Sequence, residues 1–138
     1  MYQSIVVPVD LSHRDSLQDA LDVAARLAKH NGAKVTYVGV TGTTPSRVAH
    51  NLEEYRSALD ALAEEEGRKH GHPAEAAIVA SHDLRADLDR DLLDYIRKSD
   101  CDLVVMASHV PGFLEFFFSS NGGYIASHAP CSVFLVRS

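Results

Sequence analysis

The sequence has no tryptophan, only two cysteines and no long apolar stretch. Cys101 and Cys131 are far apart and belong to no Cys-x-x-Cys pair, and two cysteines are too few for a disulfide framework. The longest apolar runs reach about six residues, whereas about 20 are needed to span a bilayer. These shortages exclude a disulfide-stapled scaffold and membrane insertion.

Basic residues are also scarce. The chain carries 13 Lys and Arg against 19 Asp and Glu, a formal net charge of −6. Nucleic-acid binding needs a basic surface that displaces counterions, and anionic membranes attract basic segments. The chain enters a strand pattern within its first few residues, without the pattern of a signal peptide. We therefore expect a cytoplasmic protein that binds neither nucleic acid nor a membrane.

What the sequence does contain is a regular alternation of two apolar patterns. Its 138 residues, 46% hydrophobic and 23% charged, suit one domain over 1–138 with its own core. Short β-branched runs predict buried strands, and apolar residues at helical spacing predict helices between them. The strands are predicted at 4–10, 35–40, 76–80, 103–106 and 132–136, and the helices at 17–28, 48–62, 84–96 and 121–127.

This order of elements predicts an α/β fold with a five-stranded, parallel, doubly wound sheet, because right-handed crossovers place helices on both faces. Ligands of such sheets bind beyond the carboxyl ends of the strands, where the strand order reverses. The candidate positions are therefore Asp10, 40–43 and 106–109. No Gly-x-Ser-x-Gly, Walker-type Gly-Lys-Ser or convincing carboxylate pair is present, so we do not expect an enzyme.

Three segments, in chain order, resemble the universal stress protein family, and the likeness covers nearly the whole chain. Ile-Val-Val-Pro-Val-Asp-Leu-Ser at 5–12 is similar to that family's first strand and its terminal aspartate. Asp-Leu-Val-Val-Met-Ala-Ser-His at 102–109 resembles its fourth strand and the start of its phosphate loop, and 128–136 resembles its last turn and strand. The resemblance implies a Rossmann-like domain that acts as a dimeric stress-response regulator.

The same resemblance implies an adenine nucleotide, ATP or AMP, with magnesium a possible companion of ATP. Asp10 would contact the adenine or the ribose, and Val40 would offer backbone groups to the adenine edge. Asn121 would begin a helix whose first N–H groups face an anion. The residues implied for binding are Pro8, Val9, Asp10, Val40, Met106, Ala107, Ser108, His109, Ser119, Ser120 and Asn121.

The chain departs from the glycine-rich signature of the family's nucleotide binders, which is Gly-x-x-Gly followed by Gly-Ser or Gly-Thr. Ala107 and Val110 stand at the first two glycine positions, and two serines occupy 119–120. The segment also contains Glu115, and no lysine or arginine occurs between positions 98 and 137. The alternative is therefore a dimeric stress protein that binds a regulatory partner and no nucleotide. A slow ATPase ranks third.

Several features have more than one interpretation. Four phenylalanines within 113–118 could close the crevice, form local core or present a partner surface. His109 could contact phosphate or order its own loop. We interpret His70 and His72 as solvated surface residues rather than metal ligands. An apolar strand at the sheet edge would favour aggregation, so we expect a homodimer through Cys131–Val136.

Overall fold

The computed structural model describes residues 1–11, 17–42, 48–81, 84–107 and 121–137. Within these ranges one five-stranded sheet has the order β3-β2-β1-β4-β5, and all of its pairings are parallel. The prediction of a parallel, doubly wound α/β fold is confirmed. The strands are β1 (Ser4–Val9), β2 (Lys34–Gly42), β3 (Ala74–Ser81), β4 (Leu103–Ala107) and β5 (Ser132–Val136); the helices are α1 (Gln18–Asn31), α2 (Val48–His70), α3 (Leu84–Ser99) and α4 (Asn121–His128).

The first helix illustrates how the sequence sets these bounds. The buried residues of α1 recur at helical spacing and include Leu21, Ala24 and Ala28. Gly32 ends the helix in the left-handed conformation, with φ of 65°, and its N–H donates to the carbonyl oxygen of Ala28. Glycine adopts this conformation without the steric penalty of a Cβ, so the predicted stop at this point is confirmed.

The sheet separates two cores. The core on one face contains α1 and α2 residues packed on Tyr37 of β2, for example Leu21 and Leu59. The core on the other face is formed by residues of α3 and α4, such as Ile96 and Ile125. Because the first two helices cover one face and the last two cover the other, the direction of winding reverses at β1.

Asp102 fixes the amino-terminal end of the sheet. Its carboxylate accepts hydrogen bonds from the backbone N–H groups of Gln3 (2.8 Å) and Ser4 (3.1 Å), so that it joins the start of β1 to the residue preceding β4. Strands β1 and β4 are neighbours in the sheet although about 100 positions separate them in the chain.

Across the described part of the chain, none of the helices combines the length and apolarity needed to cross a bilayer.

Candidate functional site

The reversal of winding at β1 places the carboxyl ends of three neighbouring strands at one edge of the sheet. Strand β1 lies between β2 and β4 and ends beside both of them. Helix α1, which follows β1, and helix α4, which follows β4, pack on opposite faces of the sheet. In sheets of this kind ligands bind at such a reversal. Asp10, Val40 and Ala107 all lie at this edge, as predicted.

Asp10 is the polar side chain that the fold places directly at the end of β1. It is only 8% exposed and follows Val9, which is fully buried. A buried carboxylate requires compensating interactions because removing its charge from water is costly. Asp10 has such interactions within the protein, and it places an acidic group at the carboxyl end of β1, where the sheet reverses.

The other described candidates contribute backbone rather than side chains. Val9 belongs to the core under α1 and α2, and Val40 packs with Leu88 and Val79 on the opposite face. Met106 is 1% exposed and packs in the core that contains Ile125. At these positions, and at Pro8 within β1, what can face a ligand is the main chain at the strand ends.

Ala107 stands where the nucleotide binders of the resembled universal stress protein family have glycine, so its methyl group could obstruct the site. The residue is 9% exposed, and its side chain belongs to the core beneath α1. The methyl group is therefore directed into packed apolar surroundings. Ser108, His109, Ser119, Ser120 and the 113–118 segment lie outside the described residues, as does the side chain of Asn121, whose backbone begins α4.

The structure adds Tyr55 to the candidate site, although the sequence pattern predicts for it only a place on the apolar face of a helix. Tyr55 of α2 lays its ring against Gly39 of β2, so closely that a Cβ built on Gly39 would lie 2.7 Å from Cε1 and 2.9 Å from Cζ. Burial, together with the negative charge of Asp10, raises the pKa of Tyr55 to about 12. The signal that could have revealed this contact is a glycine within an otherwise β-branched strand.

A second polar cluster lies at the end of α2. His72 is 6% exposed and Glu66 is 2% exposed, so the interpretation of His72 as a solvated residue is wrong. His72 Nδ1 donates to the carbonyl oxygen of Pro73 (3.0 Å), and the rings of His70 and His72 stack with centroids 6.4 Å apart. The turn after α2 folds His72 back toward Tyr37, which the His-Gly-His spacing alone does not predict.

This cluster is unusual for its buried polar atoms. The Tyr37 hydroxyl, Glu66 Oε1, His70 Nε2 and His72 Nε2 have no hydrogen-bond partner among the described residues. Burial, followed by the charge of Glu66, raises the pKa of Tyr37 well above its usual range. The described ranges contain no group of three or more His, Cys, Asp or Glu side chains arranged to hold a metal ion.

The two cysteines, distant in sequence, are neighbours in the structure. Their Sγ atoms lie 3.9 Å apart because Cys101 precedes β4 and Cys131 precedes β5, which pair with each other. Both are free thiols. Burial and the adjacent Cys101 raise the pKa of the Cys131 thiol to about 12.

Strand β5 ends the sheet order and exposes apolar side chains. Phe134 is 44% exposed and Leu135 is 37% exposed.

At the opposite edge of the sheet, a groove of about 580 Å³ lies between α2 and β3. Its lining residues are Leu52, Glu53, Arg56, Ser57, Ile78 and Ala80.

Comparison with known proteins supports the arrangement as a whole. The model of the universal stress protein family matches residues 1–137. The universal stress protein UspA from Lactobacillus plantarum is 23% identical, with a TM-score of 0.68 over 99% of this chain and 98% of that one. A universal stress protein from Burkholderia pseudomallei is 22% identical, with a TM-score of 0.75 over 99% and 97% of the two chains. The Archaeoglobus fulgidus universal stress protein, solved in complex with dAMP, is 22% identical, with a TM-score of 0.68 over 97% of both chains.

Proposed function

We propose that this chain, which belongs to the universal stress protein family, is a regulator that binds an adenine nucleotide at the carboxyl ends of β1, β2 and β4. The observation that carries the proposal is the carboxylate of Asp10, 8% exposed at the reversal of the sheet. A carboxylate accepts hydrogen bonds from ribose hydroxyls or from an adenine amino group. The dAMP complex of the Archaeoglobus fulgidus relative supports this class of ligand.

The residues that the structure describes fit a nucleoside monophosphate. Ala107 belongs to the core through its methyl group, which therefore does not obstruct a ligand at the strand end. The sequence supplies no lysine or arginine between positions 98 and 137, so a triphosphate would find little local cationic compensation. We therefore favour AMP over ATP, and a requirement for magnesium is expected only for ATP.

The proposal includes a homodimer formed through Cys131–Val136. Strand β5 is an edge strand, and its unpaired backbone groups could pair with the same strand of a second copy. Exposure of Phe134 and Leu135 on that strand supports an apolar contact. Nucleotide occupancy would then bias the loop following β4 and, with it, the binding of a regulatory partner.

The alternative is a dimeric partner-binding protein without nucleotide. It is favoured by Ala107 and Val110 at two glycine positions and by Glu115 within the same segment. Under this alternative Asp10 is a structural residue, and the exposed apolar surface of β5 serves assembly alone.

The first experiment is native mass spectrometry of the freshly purified protein, followed by calorimetric titration with AMP and with ATP, each with and without magnesium. A dimer that binds AMP at micromolar concentration supports the nucleotide-binding regulator. A dimer that contains no nucleotide and is silent toward both ligands would favour the alternative.

Two variants sharpen this experiment. Asp10→Asn keeps the shape of the side chain and removes its charge, and we expect at least ten-fold weaker AMP binding, equivalent to about 1.4 kcal/mol. Asp94→Asn, an exposed aspartate on α3, is the matched control and should bind as the wild type does. Equal affinity in both variants would remove Asp10 from the site.

The dimer requires its own test. Phe134→Lys places a charge on the exposed face of β5, and we expect it to shift the mass measured by light scattering from dimer to monomer. Tyr124→Lys alters a similarly exposed aromatic residue on α4 and should remain dimeric. A dimeric Phe134→Lys protein would place the interface elsewhere.

A further inference from the structure

Tyr55 lies beside the carboxyl end of β1, next to the proposed nucleotide site. Its ring covers Gly39, and Gly39 is the register partner of Val9 in β1. The residue after Val9 is Asp10, whose charge acts on the Tyr55 phenol. The ring therefore occupies the position where the carboxyl ends of β1 and β2 meet beneath α2.

The groove between α2 and β3 lies near this ring, toward the edge strand β3. Ile78 lines the groove and is the β3 register partner of Gly39, and Ala80 lines it opposite Thr41. Leu52 and Arg56, which flank Tyr55 on α2, supply the helical wall. A volume of about 580 Å³ is within the range of small-molecule pockets.

We infer that Tyr55 is a specificity-determining residue, whose ring bounds the base end of the nucleotide site beside Gly39 and Asp10. An unsubstituted purine would fit beside the ring, whereas a purine enlarged at this end would collide with it. This inference rests on the proposed function, since it assigns the wall of the same site.

Gly39 makes this arrangement possible. Any other residue at this position would place a Cβ within 2.9 Å of the ring carbons Cε1 and Cζ, closer than real Cβ contacts allow. The Tyr55 phenol, with a pKa of about 12, is protonated at physiological pH, as an ordinary tyrosine also is. The ring thus presents a neutral hydroxyl near Asp10, which can donate a hydrogen bond to a ligand acceptor as well as limit its size.

The experiment compares AMP with AMP analogues that carry a benzyl group at N6, C2 or C8, by calorimetry on the full-length protein. The variants are Tyr55→Ala and Tyr55→Leu, which remove the ring, and Tyr55→Phe, which removes only the hydroxyl. Tyr55→Leu keeps an apolar anchor against the sheet, so it provides a folded protein if Tyr55→Ala is unstable. Tyr95→Ala is the matched control, because Tyr95 is half-buried on α3 near Glu75 and Cys101, at the opposite ends of the strands.

We expect the wild type, Tyr55→Phe and Tyr95→Ala to prefer AMP over every benzyl analogue by at least ten-fold. In Tyr55→Ala or Tyr55→Leu the preference over at least one analogue should fall below about three-fold, because removal of the ring leaves room for the added group. If the wild type binds AMP and removal of the ring leaves the preference unchanged, the inference is overturned and the proposed function stands.

Two further outcomes separate the inference from the function. If the wild type binds nothing and the ring-deleted variants bind AMP or an analogue, the proposed function fails for this chain, and Tyr55 is shown to close the site. If no protein in the series binds any of the ligands at millimolar concentration while circular dichroism shows each to be folded, both proposals are overturned.

Discussion

The contact between Gly39 and Tyr55 provides a quantitative test of how this site is built. Gly39→Ala would place a Cβ 2.7 Å from Cε1 and 2.9 Å from Cζ of the tyrosine ring, against ordinary contacts of about 3.4–4.0 Å. Relieving the overlap requires the ring to move by about 1 Å within packed surroundings, and overpacking of this kind costs about 1–3 kcal/mol. Removing a strand glycine returns about 0.5–1 kcal/mol, so we expect a net loss of about 0.5–2 kcal/mol.

The same substitution should behave differently once the ring is absent. In a Tyr55→Ala background the overlap disappears, so Gly39→Ala should be neutral or should stabilise the protein by about 0.5–1 kcal/mol. Tyr55→Ala alone should cost about 2 kcal/mol, less than the loss of a fully buried aromatic residue. The coupling free energy between the two positions is then about 1–3 kcal/mol, as expected for residues in direct contact.

Urea unfolding monitored by circular dichroism measures all four proteins of this cycle. Gly123→Ala is the matched control, because a Cβ at Gly123 in α4 meets nothing within 4 Å; it should stabilise the protein by about 0.5–1 kcal/mol in either background. A cost for Gly39→Ala that is the same with and without the Tyr55 ring would refute the close contact, and with it the wall that the ring forms.

Three other changes test separate parts of the structure. Folding raises the pKa of Tyr55 from 10.0 to about 12. The stability that the protonated phenol contributes is therefore complete below pH 10 and is lost as the pH rises toward 12. Urea unfolding at a series of pH values should show that Tyr55→Phe loses less stability than the wild type over that interval. Diamide is a two-electron oxidant that accepts both thiol hydrogens, so it should form a disulfide between Cys101 and Cys131 within one chain. The mass of the chain should fall by about 2 Da, and Cys131→Ser should show no change. Intermolecular disulfides alone would contradict that proximity. Asp102→Ala removes the acceptor of two backbone N–H groups and should cost about 1–3 kcal/mol. Asp94→Ala, at an exposed position of α3, should change stability by less than about 0.5 kcal/mol, and equal effects would refute the anchoring role.

The element order was predictable because it rests on local patterns. Apolar spacing in α1, the Asn31-Gly32 stop and the β-branched run of β4 each reflect the preferences of a few neighbouring residues. The position of Asp10 followed as well, since the end of the first strand in a doubly wound sheet lies at the reversal of strand order.

The features that could not be predicted depend on residues distant in the chain. His72 reads as a polar turn residue, yet the packing of α2 against β3 buries it beside Tyr37. Ala107 stands at a glycine position of the family signature, yet the fold places its methyl group in the core. Neither outcome is encoded by local spacing.

The sequence by itself determined the fold class and the acidic residue at the end of the first strand, because periodicity and crossover handedness leave few alternatives. Only the tertiary structure decided what surrounds Asp10. The ring of Tyr55 reaches Gly39 from another element, and the thiols of Cys101 and Cys131 meet across two strands. Such contacts arise from the relative placement of whole elements, which is set by the packing of the entire core rather than by any short segment.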